Sequence, residues 1–197
     1  MQIYSYIRLF QSSENIGLNF TSLQSLLGTF TWKKSKEPIH HPHLFDRPGM
    51  FTVHGAGRAL ALLGHDGYRP GQRSLVEGLA RGDNVFAALP TGSGKSCLFQ
   101  LPAVAMAKEG TARTTAKVIL VLSPFVALSK NQIGTICDTL GHHGVTAHLL
   151  SGGTTTAAAE DNRLALNALA ASGSCSLSGK PAVTIVFLTA EVCVPCG

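Results

Sequence analysis

The sequence predicts an α/β fold, a mostly parallel sheet with helices on its faces. Three observations predict it. Short apolar runs rich in β-branched residues recur, as in residues 117–122 (KVILVL) and 182–188 (AVTIVFL). Between such runs lie longer segments with apolar residues at helical spacing. A glycine-rich turn ending in Lys-Ser, Leu89-Pro90-Thr91-Gly92-Ser93-Gly94-Lys95-Ser96, joins an apolar run to a helical one. Strands alternating with helices imply right-handed crossovers and parallel pairing.

The 197 residues leave room for one ordinary domain with its own core. At 45% hydrophobic residues the chain is not broadly disordered. Only 14% of its residues are charged, against about 25% in typical soluble proteins, which points to a missing or unusual part. The formal net charge of +5 favours an acidic partner such as nucleic acid, although the charges are spread along the chain. Five scattered cysteines do not form a secreted disulfide framework and read as reduced intracellular thiols. No uninterrupted apolar run reaches the roughly 18 residues of a membrane helix.

Residues 1–52 read as a loosely ordered extension, with prolines, a basic Lys33-Lys34-Ser35-Lys36 cluster and His40, His41 and His43. The basic cluster reads as a solvated linker, and the histidines lack a second ligand group for a metal. Residues 53–197 read as the ordered domain. Leu75, Val76 and Leu79 predict a helix over 72–81, ended by Gly82. Residues 84–89 (NVFAAL) predict a short strand, and 95–107 a helix with Pro102 inside it. A strand is expected at 117–122, buried on both faces. A helix follows from Pro124 to 140, then a strand at 145–150 and a helix at 157–171. A Ser/Gly-rich loop over 172–180 leads to a last strand at 182–188.

The glycine-rich turn carries the clearest chemistry. It is a relaxed Gly-x-x-x-x-Gly-Lys-Ser phosphate loop in which Leu89 fills the first glycine's place. Gly92 and Gly94 allow close approach of the backbone to phosphate, and the following helix presents its positive end. Lys95 can reach the β and γ phosphates of ATP, and the Ser96 hydroxyl can ligate Mg²⁺.

Further motifs stand in order around that loop: Gly67-Tyr68-Arg69-Pro70-Gly71-Gln72, Phe99-Gln100-Leu101-Pro102-Ala103, Leu122-Ser123-Pro124-Phe125-Val126-Ala127-Leu128-Ser129-Lys130-Asn131-Gln132 and Leu188-Thr189-Ala190-Glu191. Together they make residues 60–192 resemble the RecQ family of superfamily 2 DNA helicases. The resemblance implies a P-loop NTPase (RecA-like) parallel sheet with flanking helices, here incomplete. It implies ATP and Mg²⁺ as cofactors, DNA as partner with 3′-to-5′ polarity, and no small-molecule substrate besides ATP. It also implies a nuclear location in a eukaryote, otherwise a cytoplasmic one, without secretion or membrane attachment. By position, Gln72 would read the adenine edge, Arg69 would lie beside the nucleotide, and His65 would stack on the base. Thr91, Gly92, Ser93, Gly94, Lys95 and Ser96 would hold the phosphates, with Lys95 and Ser96 catalytic. Ser123, Pro124, Lys130, Thr189 and Glu191 would face DNA, with Phe125, Leu128 and Ile133 packing their helix on the sheet. Tyr68 is expected to pack in the core.

Two departures bear on activity. The family's Asp-Glu-x-His, which holds Mg²⁺ and orients the attacking water, has no counterpart. The one adjacent acid pair, Glu160-Asp161, begins a helix instead. The second RecA-like lobe and its arginine finger are not in the sequence, so the chain is expected to bind nucleotide without unwinding DNA. Cys193-Val194-Pro195-Cys196 lacks partner ligands and reads as incidental. Two alternatives stand beside the DNA helicase: an RNA helicase of DEAD-box type, whose usual Pro-Thr-Arg-Glu-Leu is absent, and a non-catalytic module that binds nucleotide or nucleic acid.

Overall fold

The computed structural model describes residues 6–12, 51–83, 85, 87, 89–90, 92–109, 116–153, 155–172, 183–189 and 192. Among these, four strands form one sheet: β1 (Tyr6–Ser12), β2 (Ala116–Leu122), β3 (Val145–Leu150) and β4 (Val183–Leu188). Their order is β1-β2-β4-β3. The last three are parallel, with β4 between the others, so that Leu120 and His148 both lie opposite Val186. Six helices and turns complete the frame: α1 (Val53–Leu62), α2 (Gln72–Arg81), α3 (Cys97–Glu109), α4 (Val126–Leu140), a 3-10 turn (Gly141–His143) and α5 (Thr156–Ser172).

Strands β2 and β4 carry apolar residues on both faces, so period-two alternation gives each a core on either side. Ile119, Val121, Ile185 and Phe187 face a core shared with α1, α2, α3 and α4. Val118, Leu120, Val186 and Leu188 face a second core with Ala165 and Leu169 of α5. Helix α3 is buried nearly all round, from Leu98 to Ala107, and includes the buried Pro102. Its Phe99 ring meets Phe187 edge-to-face, centroids 5.7 Å apart. At its far end, Glu109 accepts from the Thr52 N–H at 2.8 Å and from the Thr52 hydroxyl. Thr52 in turn accepts from the Gly55 N–H and caps α1. Lys117 is buried and its Nζ donates to the Met106 carbonyl at 2.7 Å. Burial pushes its pKa down, with the Glu109 charge opposing.

Most expected elements form within a residue or two of their expected ends. Three do not follow the expectation. The extension contains a strand, β1, which pairs antiparallel with β2 from Tyr6 opposite Leu122 to Ser12 opposite Ala116. A strand as apolar as β2 leaves a row of unpaired backbone groups on its outer edge, and β1 satisfies them. At the extension's other end, Phe51 is buried in the core and Thr52 caps α1. Helix α1 itself had no signal, because its buried face is made of Gly55, Ala56, Ala59 and Leu60. The strand expected over 84–89 is the third difference. Its described residues, Val85, Ala87 and Leu89, are outside the sheet, where β1 and β4 occupy both edges of β2. The histidines at 40, 41 and 43, the basic cluster at 33–36 and the Cys193–Cys196 pair lie outside the described residues.

Candidate nucleotide and nucleic-acid site

The turn before α2 and the glycine-rich loop before α3 are tied together by side chains. Gly71, at φ 81°, sets the entry to α2 and Gln72 is its first residue, only 2% exposed. The Gln72 Oε1 accepts from the Arg69 N–H at 2.9 Å. Its Nε2 donates to the carbonyls of Ser93 at 3.2 Å and Gly94 at 3.0 Å. The Arg69 guanidinium, reaching across from an exposed position, donates to the Gly92 carbonyl. Both ends of the Gln72 amide are therefore committed to the polypeptide, where the sequence suggested a base-reading group.

Within the loop, the Lys95 ammonium donates to the carbonyls of Leu89 at 3.0 Å and Pro90 at 2.6 Å. The Ser93 hydroxyl donates to the Pro90 carbonyl at 2.7 Å. Helix α3 begins at Cys97, two residues later than expected, with Lys95 and Ser96 in the turn that leads into it. Gly94 has φ 79°, and a Cβ there would stand 2.5 Å from the Gln72 Nε2. A side chain would meet both backbone strain and a buried amide. His65 is exposed, with Nε2 3.7 Å from the Cys97 Sγ. Burial raises the Cys97 pKa, against the Arg69 charge and the Gln72 amide. Tyr68 packs against the core as expected, and burial raises its pKa as well.

The N–H groups of Gly94, Lys95 and Ser96 have no hydrogen-bond partner among the described residues. They stand just before α3, where a phosphate would gain donors and the helix dipole. Lys95 supplies a cation and Ser96 a half-buried hydroxyl. This donor set fits the phosphates of ATP with Mg²⁺. Thr91, the remaining loop residue expected to contribute, lies outside the described residues.

A second concave region lies at the carboxyl ends of β3 and β4. It encloses about 310 Å³ and is lined by residues that include Val126, Lys130, Ser151, Gly153, Thr155 and Thr189. Thr189 is 2% exposed. Its N–H donates to the Leu150 carbonyl at 3.2 Å, and its hydroxyl accepts from the Gly152 N–H at 3.3 Å. Lys130 lies 2.9 Å from the Asp161 Oδ2. The fold thus brings together two of the five residues expected to face DNA. Ser123 is buried, and its N–H is taken by the Leu188 carbonyl at 2.9 Å, which extends the sheet by one residue. Its backbone is unavailable to phosphate in this arrangement. Pro124 is exposed but carries no N–H. Glu191 lies outside the described residues.

The packing of α4 also differs from expectation. Phe125 is 42% exposed and Leu128 36% exposed, while Ile136 and Leu140 hold the helix to the sheet and Ile133 packs partly. The sequence offered no reason to single out Asn162. Its Oδ1 accepts from the Ser151 N–H and its Nδ2 donates to the Ser151 carbonyl, both at 2.8 Å. This clamp sets the start of the Ser151-Gly152-Gly153 turn. Ser-Gly-Gly directly after an apolar strand was the one available signal for that turn.

Residues 69–176 match the family described as DEAD/DEAH box helicase, more than half of the chain. The matched span contains the glycine-rich loop, its Gln72 brace and most of the second cleft. The chain belongs to the DEAD/DEAH box helicase family. Within the helicases, it is similar to RecQ-type proteins. It is 36% identical over 93 residues to the human "ATP-dependent DNA helicase Q4". That stretch is 45% of this chain and 7% of the human protein. Against the Saccharomyces cerevisiae "ATP-dependent helicase SGS1" it is 40% identical over 67 residues, 34% of this chain and 4% of the relative. Against the Haemophilus influenzae "ATP-dependent DNA helicase RecQ" it is 28% identical over 112 residues, 55% of this chain and 16% of the relative. The chain thus spans a small part of each helicase it matches. Its three parallel strands with flanking helices are a partial RecA-like fold.

Proposed function

We propose that this chain is the ATP-binding part of a RecQ-type DNA helicase. The observation that carries the reading is the tie between the Arg69–Gln72 turn and the Gly92–Gly94 carbonyls, which anchors the glycine-rich loop just before α3. In this reading Lys95 leaves the Leu89 and Pro90 carbonyls for the β and γ phosphates, and Ser96 holds Mg²⁺. Thr91, Gly92, Ser93 and Gly94 wrap the phosphates. Arg69 and the exposed His65 flank the nucleoside, while Gln72 acts chiefly by bracing the loop. When bound, MgATP supplies the phosphoryl-transfer chemistry.

Single-stranded DNA is the proposed partner of the cleft at the carboxyl ends of β3 and β4, with Lys130 and Thr189 facing its backbone. Strand ends are where parallel α/β sheets place ligands, and the positive net charge suits a polyanion. A nuclear location in a eukaryotic cell accompanies this reading.

The test is titration of the chain with a fluorescent ATP analogue in the presence of Mg²⁺. Lys95→Ala should weaken binding at least about tenfold, roughly 1.4 kcal/mol. Unchanged binding in that variant would remove the phosphate-loop assignment. Competition between single-stranded DNA and RNA of the same sequence separates the DNA reading from the RNA-helicase one, which equal or tighter RNA binding would favour.

A further inference from the structure

Lys130 does not face the cleft as an unpaired cation. Its Nζ lies 2.9 Å from Asp161 Oδ2, across the gap between α4 and α5, and both residues line the cleft. The arrangement is one-sided. Lys130 is 52% exposed and can swing into solvent, whereas Asp161 is 31% exposed and its Oδ2 is shut off from solvent, with no hydrogen-bond donor besides this ion pair. The neighbouring acid is already engaged, since Glu160 holds Arg163 at 2.6 Å on the outer side of α5. Among the described residues, Asp161 is the carboxylate paired with Lys130 at this cleft.

We infer that Asp161 is a built-in counter-ion of the nucleic-acid cleft, which competes with backbone phosphate for Lys130 and so lowers both the affinity and its salt dependence. The inference rests on the proposed binding of a nucleic-acid strand at this cleft. Its physical content is an exchange. A lysine with only diffuse counterions releases them when it meets a phosphate, which steepens the dependence of affinity on salt. A lysine already neutralised by Asp161 releases none, and the abandoned carboxylate must recruit a cation. The Lys130 contact then adds almost nothing to the salt slope, although it still positions the strand.

The experiment is fluorescence anisotropy of a labelled oligothymidine titrated with the full chain over a range of salt concentrations. Wild type, Asp161→Asn, Lys130→Ala and the double variant are compared, with thermal melts to establish that each is folded. Asp161→Asn should bind about three- to tenfold tighter at low salt, with the gap closing as salt rises. Its slope of log affinity against log salt should steepen by about 0.7, the value for one phosphate contact on a single strand. Adding Lys130→Ala to Asp161→Asn should return the slope to that of wild type, because the pair is then absent altogether. Wild-type binding with an unchanged slope in Asp161→Asn would overturn the inference and leave the nucleic-acid reading standing. A gain that survives Lys130→Ala would also overturn it, since the effect would not run through Lys130. Absence of binding in wild type and Asp161→Asn at every salt concentration would remove the cleft assignment and this inference with it.

Discussion

Gln72 is where the brace and the base-reading roles make opposite predictions. Replacing it by leucine keeps the volume of a side chain that is 2% exposed. The change removes three hydrogen bonds: one from the Arg69 N–H at 2.9 Å and two to the Ser93 and Gly94 carbonyls at 3.2 and 3.0 Å. Each such bond contributes about 0.5–1.5 kcal/mol net, and a buried partner left unpaired costs more. Ser93 and Gly94 are half-buried, so water recovers part of the loss. The expected destabilisation is about 2–3 kcal/mol in a urea melt. The nucleotide assay then separates the roles. A brace shapes the phosphate loop, so Gln72→Leu should weaken ATP and inorganic tripolyphosphate by similar factors, about tenfold or more. A base reader would weaken ATP alone. Loss of ATP binding with full retention of tripolyphosphate, and stability within about 0.5 kcal/mol of wild type, would refute the brace. Gln72→Glu is the sharper companion. It keeps an acceptor for the Arg69 N–H but turns a carboxylate oxygen on two carbonyls, so it should resemble leucine rather than glutamine.

Three further outcomes follow from the same geometry. Gly94→Ala combines φ 79° with a Cβ 2.5 Å from the Gln72 Nε2; it should cost about 1–3 kcal/mol in a thermal or urea melt and abolish measurable nucleotide binding. Asn162→Ala removes both 2.8 Å bonds to the Ser151 backbone, which should cost about 1–3 kcal/mol by urea denaturation and speed hydrogen exchange at Ser151. His148, half-buried on β3, has its pKa pushed down by burial from the usual 6.5. Its unfolded form therefore takes up a proton that the folded form resists, and stability should fall as pH drops from about 6.5 through the lowered folded value. His148→Gln should flatten that part of the stability–pH curve, and a curve identical to wild type would show that His148 is not its source.

Much of the parallel α/β frame was legible because it is written in local periodicity. Residues 72–81 and 145–150 form the expected helix and strand, and Gly82 ends α2 at φ 85°. The glycine-rich loop was legible for another reason: its residues are consecutive, so one short stretch carries the whole turn. Helix α1 was hidden because its buried face is glycine, alanine and a single leucine, which carry little hydrophobic contrast. Strand β1 was hidden because its pairing partner, β2, begins more than a hundred residues later, and nothing local reports an edge that needs covering.

The cleft shows the same division at the level of side chains. Lys130 and Thr189, far apart in the chain, line one cleft, whereas Ser123 is buried with its N–H held by the Leu188 carbonyl. Phe125 and Leu128, expected to pack, are 42% and 36% exposed.

The sequence by itself determined the α/β frame and the glycine-rich loop at Gly92–Ser96, because local periodicity and turn conformation follow from neighbouring residue types, and its motifs carried the resemblance to helicases. Only the tertiary structure decided what those residues do to one another. Gln72 bonds the Arg69 turn to the Ser93 and Gly94 carbonyls, Asp161 pairs with Lys130, and β1 covers the edge of β2. Each is a contact between segments distant in the chain, set by how apolar faces pack, and pairings of that kind leave no period in the sequence.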